Sequence, residues 1–108
     1  PLQNEKINTI EYTYTVPASY LLHIKNVFCL NQNDIFRYRV YWIYRTGLSN
    51  WSNWSQHQFG CYEAVNLTKG YNDYLIYEYE VERNGVLNTY LDTFYINPDY
   101  VDTLKIYY

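Results

Sequence analysis

From Phe36 to Arg45 the side-chain character alternates at every residue. Phe36, Tyr38, Val40, Trp42 and Tyr44 fall on one face; Arg37, Arg39, Tyr41, Ile43 and Arg45 fall on the other. A helix would repeat its apolar positions every three or four residues, so a period of two marks a strand with one buried face. Such a strand needs a second apolar layer to cover it. The same pattern recurs at Ile10–Val16, where Ile10, Tyr12, Tyr14 and Val16 oppose Glu11, Thr13 and Thr15. It recurs again at Tyr74–Arg83, where Leu75, Tyr77, Tyr79 and Val81 oppose Ile76, Glu78, Glu80 and Glu82.

Weaker segments complete the set. Tyr20–Leu30 places Leu22, Ile24, Phe28 and Leu30 at like parity; Gln58–Leu67 is interrupted by Gly60; Val86–Ile96 and Val101–Tyr108 close the chain. Pro17-Ala18-Ser19, Asn31–Asp34, Lys69–Asp73 and Asn97-Pro98-Asp99 read as breaks or turns, and Thr46–His57 as a polar loop. Asn84-Gly85 is the strongest hairpin signal, because a type I′ turn needs positive φ at both central residues. Sixteen tyrosines and only two alanines, Ala18 and Ala64, agree with strands rather than helices. The expectation is an all-β, antiparallel, immunoglobulin-like sandwich of about seven strands over residues 10–108, preceded by a polar arm at residues 1–9. Pro1 reads equally as the residue left by a trimmed initiator Met or as a boundary in a longer chain.

Charge and motifs exclude several functions. A net charge of −3 with eight scattered basic residues does not make a nucleic-acid surface, and no apolar run approaches a transmembrane helix. His23 and His57 lie beside no glycine-framed Ser or Cys, and Glu78, Glu80 and Glu82 share one strand face rather than flanking a cleft. No catalytic residue is assigned, and the expectation is a protein that is not an enzyme. His23, Cys29, His57 and Cys61 make a Cys₂His₂ inventory, but without the tight ligand spacing of zinc sites, so no metal or cofactor is assigned. Cys29 and Cys61 are 32 residues apart; a bridge between sheets is geometrically open, and buried free thiols are favoured because the core is large enough to stand without one.

The most specific string is Trp51-Ser52-Asn53-Trp54-Ser55. It resembles the WSxWS box of the type I cytokine receptors, carried there by a fibronectin type III domain. The resemblance implies that Trp51 and Trp54 interleave with arginines of a neighbouring strand, for which Arg37, Arg39 and Arg45 are available. It covers residues 36 to 55. In the receptors the box precedes the last strand, whereas here 53 residues follow it. On that ground the string reads as coincidental. Asn50, Asn53 and Asn66 each begin a glycosylation sequon, a number that chance supplies in a chain with 12 Asn.

The tyrosines point to contact surfaces, since Tyr buries apolar area while its hydroxyl seeks a partner. The candidate contact residues are Trp51, Trp54, Tyr41, Arg37, Arg39, Arg45, Tyr107 and Tyr108. The Arg stripe and the Glu78/Glu80/Glu82 stripe can pair across strands in one sheet. On different sheets they would instead meet between neighbouring copies. A short, acidic, Met-free, Tyr-rich and Asn-rich sandwich resembles in type the small immunoglobulin-like decoration proteins of tailed-phage virions. That resemblance implies a non-enzymatic auxiliary protein that reinforces a capsid or tail. Its partners would be major capsid or tail proteins, copies of itself and a possible host-surface glycan; no nucleic acid and no membrane insertion are expected. It would reside in the virion, assembled in the host cytoplasm. The alternative is a carbohydrate-binding or host-adhesion module using Trp51 and Trp54. The third reading is a secreted, receptor-like fibronectin III domain, with glycans and a Cys29–Cys61 bridge.

Overall fold

The computed structural model describes residues 16–29, 33–43 and 51–108. The arm at 1–9, residues 10–15 of the strand expected over Ile10–Val16, Leu30, Tyr44, Arg45 and Asn50 lie outside the described residues. Seven strands follow in order: β1 (Pro17–Lys25), β2 (Ile35–Trp42), β3 (Gln58–Phe59), β4 (Glu63–Tyr71), β5 (Tyr74–Arg83), β6 (Val86–Tyr95) and β7 (Asp102–Tyr107). They form a three-stranded sheet β4-β1-β7 and a four-stranded sheet β3-β2-β5-β6. The all-β sandwich expected from the alternation is the architecture of the described chain.

The core forms where the inward positions of the two sheets meet. Tyr20, Leu22 and Ile24 of β1 and Leu104 and Ile106 of β7 face Phe36 of β2 and Leu75, Tyr77, Tyr79 and Val81 of β5. Two contacts tie the layers. The hydroxyls of Tyr20 and Tyr77 share a 2.7 Å hydrogen bond, so each buried phenol satisfies the other. Tyr108 stacks on Phe36 with centroids 4.2 Å apart.

Several sequence expectations are corrected. Pro17-Ala18-Ser19 opens β1 instead of breaking a strand; Pro is tolerated at a first strand position, where no ladder donor is demanded of it. The interruption at Gly60 is a change of sheet. Gly60 has φ 73°, and the chain leaves β3 in one layer to begin β4 in the other. β4 runs on to Tyr71, leaving only Asn72 and Asp73 as the turn. Phe28 lies past the end of β1 and is exposed. Pairing is antiparallel except between β1 and β7, which are parallel, with Tyr20 beside Asp102 and Lys25 beside Tyr107. The reason is the route. Tyr95 ends β6 beside Tyr74, at the end where β1 begins, and the chain crosses there to the other layer instead of turning back in a hairpin.

The opposite end is clamped. Cys29 and Cys61 form a disulfide, Cα atoms 5.2 Å apart, which corrects the expectation of free thiols: the β1–β2 and β3–β4 connections converge at this end. Beside it, buried Asp34 accepts from Arg83 Nη1 at 2.6 Å and from Asn26 Nδ2 at 3.0 Å. Asn26 Nδ2 also donates to the Gly60 carbonyl at 2.8 Å. Neither charge of the pair is left without partners, which a buried carboxylate requires.

Gly70 of β4 marks a close approach. The Trp42 indole occupies the space a β-carbon would need there. Gly70→Ala is therefore expected to destabilise the fold by about 2 kcal/mol, the scale of overpacking a filled site, read as a lower urea midpoint with unchanged slope.

Candidate functional site

The outer face of the four-stranded sheet carries the most elaborate side-chain array. β2 and β5 are neighbours, and their register sets Arg37 opposite Glu80 and Arg39 opposite Glu78. Arg37 Nε donates to Glu80 Oε1 and Arg39 Nε to Glu78 Oε1, each at 2.6 Å. The basic and acidic stripes thus meet inside one monomer, not between copies, because β2 and β5 share a sheet.

On the other side of β2 the sheet is continued by residues 52–55 rather than by a longer β3. Ser55 N–H donates to the Tyr38 carbonyl at 2.7 Å and Ser52 N–H to the Val40 carbonyl at 2.9 Å. Each serine hydroxyl accepts the N–H of the same β2 residue: Tyr38 to Ser55 Oγ at 3.0 Å, Val40 to Ser52 Oγ at 2.9 Å. The hydroxyls then donate onward to the carbonyls of Asn53 and Gln56. Each serine therefore supplies the donor and acceptor that a paired strand residue would. The segment repeats every three residues while β2 repeats every two, so Ser52 and Ser55 meet Val40 and Tyr38 in step. This pairing gives a physical reason for the Trp-Ser-x-Trp-Ser spacing.

The same register throws both indoles over the arginines. The Arg37 guanidinium lies 4.2 Å from the Trp54 ring centroid; that of Arg39 lies 4.6 Å from both Trp54 and Trp51. The order along the ladder is Trp51, Arg39, Trp54, Arg37. Trp54 lies between two guanidiniums, and Tyr41 packs against Trp51 at 5.3 Å. Each arginine is held by a ring and by a carboxylate at once, which fixes a side chain that is otherwise costly to order. A sugar ring stacking on Trp54 would have to displace an arginine.

The remaining candidates separate. Trp51, Trp54, Tyr41, Arg37 and Arg39 are brought together; Arg45 lies outside the described residues. Tyr108, expected among the outward contacts, is buried: its ring fills the space beside Phe36, and burial raises its hydroxyl pKa. Tyr107 is on the opposite sheet, where its hydroxyl meets His23 Nδ1 at 2.8 Å. His23 Nε2 lies 2.8 Å from Glu63 Oε2, making a Tyr107–His23–Glu63 chain across the outer face of β7, β1 and β4. Sequence reasoning missed this chain because the three residues are joined only by strand pairing. It also missed Ser52 and Ser55 as edge-pairing groups, although their place in the five-residue string was the available signal.

Comparison with protein-family models, with curated proteins and with solved structures finds no match. The reading of the site rests on its own geometry.

Two outcomes are expected. In a double-mutant cycle of Arg39→Ala and Trp54→Ala, the coupling energy should be about 1 kcal/mol, the scale of a half-exposed cation–π contact, measured by chemical denaturation. Glu63 is held below its ordinary 4.5, first by the hydrogen bond from His23. A carboxylate depressed in the folded state stabilises above its unfolded pKa and loses that contribution as pH falls through the folded one. The stability gap between the parent chain and Glu63→Gln should therefore be widest above pH 4.5 and close as pH falls below it, followed by thermal melts across an acid series.

Proposed function

We propose that this chain is a non-enzymatic β-sandwich module of a protein matured in an oxidising compartment, and that it works by contact with another protein across its four-stranded sheet. The observation that carries the reading is the Trp51–Arg39–Trp54–Arg37 ladder, with each arginine also anchored on Glu80 or Glu78. Aromatic and Arg side chains are the types enriched at protein contact centres, and ordering them beforehand lowers the entropy lost on association. The array consists of internally paired groups on a strand face rather than a nucleophile and base around a cleft, which favours recognition over chemistry.

Two features favour the receptor-like reading over the virion one. The box makes the stack of rings and arginines that the resemblance implied. The Cys29–Cys61 bridge fits a secreted life, since cytoplasmic assembly keeps thiols reduced. The likeness is local: the box precedes β3, with β4 to β7 still to come, and not the last strand. The proposal accordingly takes from the receptors the compartment and the contact role, not a particular ligand. Asn53 and Asn66 are exposed and open to a glycan in that setting.

The test is an intact mass of natively sourced protein, denatured, before and after reduction. A gain of two hydrogens on reduction, with hexose-containing mass removed by glycosidase, is the expected result. A bare, reduction-insensitive mass would overturn the oxidising-compartment reading and return the chain to assembly inside a cell.

A further inference from the structure

β6 is the one long edge strand among the described residues that nothing guards. The other edges are short, charged or continued: β3 has two residues and is extended by the serines, β4 carries Glu63 and Lys69, and β7 carries Asp102 and Lys105 in six residues. β6 has ten residues, no Pro, Lys or Arg, and a single charge at Asp92. Val86, Leu87, Tyr90, Leu91 and Tyr95 stand 60, 55, 46, 63 and 46% exposed. Solvent-facing edges normally carry charge, proline or a bulge against pairing with another chain.

The hairpin fixes which backbone groups are free. Asn84 and Gly85 have φ 53° and 80°, and Arg83 pairs with Val86 across them. In a two-residue turn of this kind the flanking pair exchanges both hydrogen bonds, so even-numbered residues of β6 aim their N–H and C=O at β5. The odd-numbered residues Leu87, Thr89, Leu91, Thr93 and Tyr95 aim theirs at the open side.

We infer that β6 pairs antiparallel with β6 of a second copy of this chain, about a two-fold axis through Leu91. This register engages all five outward residues of both strands. It sets Leu91 against Leu91, Thr89 against Thr93 and Leu87 against Tyr95, so that like chemistry meets like on the outer face. The lone charge does not oppose itself, because Asp92 faces Tyr90 of the second copy. The two four-stranded sheets become one sheet of eight strands. The inference stands apart from the functional reading above, since it uses neither the ladder nor the compartment. A single strand pair is a small contact, at the low end of specific interfaces, so dissociation constants on the order of tens to hundreds of micromolar are expected.

The test is sedimentation velocity on the disulfide-intact chain across that range, with reversible monomer–dimer exchange expected. Leu91→Lys places two ammonium groups together on the axis and should weaken the dimer about tenfold or more, while the exposed position leaves the monomer folded. Cysteine reports the register. Hydrogen-bonded antiparallel partners hold Cα atoms about 5.5 Å apart, within disulfide reach, so Leu91→Cys should cross-link between copies under mild oxidation and Thr89→Cys should not. A monomer at every concentration, a dimer indifferent to Leu91→Lys, or cross-linking at position 89 instead of 91 would overturn the inference.

Discussion

The pairing of β2 with β5 is the constraint on which most of the molecule depends. One register, Arg37 opposite Glu80 and Tyr38 opposite Tyr79, sorts both faces of the four-stranded sheet at once. Inward, it lines up Phe36, Tyr77 and Tyr79 against the other layer. Outward, it seats each arginine on a glutamate and leaves the planes of the guanidiniums open for the indoles. A slip of one residue would send Phe36 and Tyr38 to solvent and Arg37 and Arg39 into the core, so the burial of one face specifies the array on the other.

A core so rich in tyrosine has to satisfy its hydroxyls. Tyr20 and Tyr77 do this through each other, and burial raises both pKa values, so both stay neutral donors and acceptors. Tyr79 donates to Asp92 at 3.3 Å and, chiefly through burial, is pushed up to about 12. The chain therefore uses tyrosine as a core residue with a polar tip, partnered across layers or strands. Tyr108, which composition alone assigned to a contact surface, is also spent in the core, but there its ring does the packing and its buried hydroxyl has no hydrogen-bond partner among the described residues.

The serines of the Trp-Ser-x-Trp-Ser segment solve a different problem. β2 would present unpaired N–H and C=O groups beyond the short β3, and a polar loop beside it could not ordinarily pair in register. Side-chain oxygens at three-residue intervals close that edge while freeing the tryptophans to turn outward. Edge protection and surface array are thus one device here, which makes the bare β6 edge on the far side of the same sheet the more conspicuous.

Alternation in β2 and β5 and the Asn84-Gly85 turn were sufficient to determine the fold class, the inward faces and one hairpin, because these follow from local backbone geometry with period two. The box string was read as coincidental, yet the arginine partners its resemblance implied, Arg37 and Arg39, do stack with its tryptophans; both groups are near in sequence. What tertiary structure alone decided is everything that joins distant segments: the change of sheet at Gly60, the parallel β1–β7 pair, the Cys29–Cys61 bridge, the buried Asp34–Arg83 pair and the His23 chain. None of these has a local signature, since each depends on which strands become neighbours. That choice is made by covering the apolar faces of both layers at once, a condition on the whole chain rather than on any window of it.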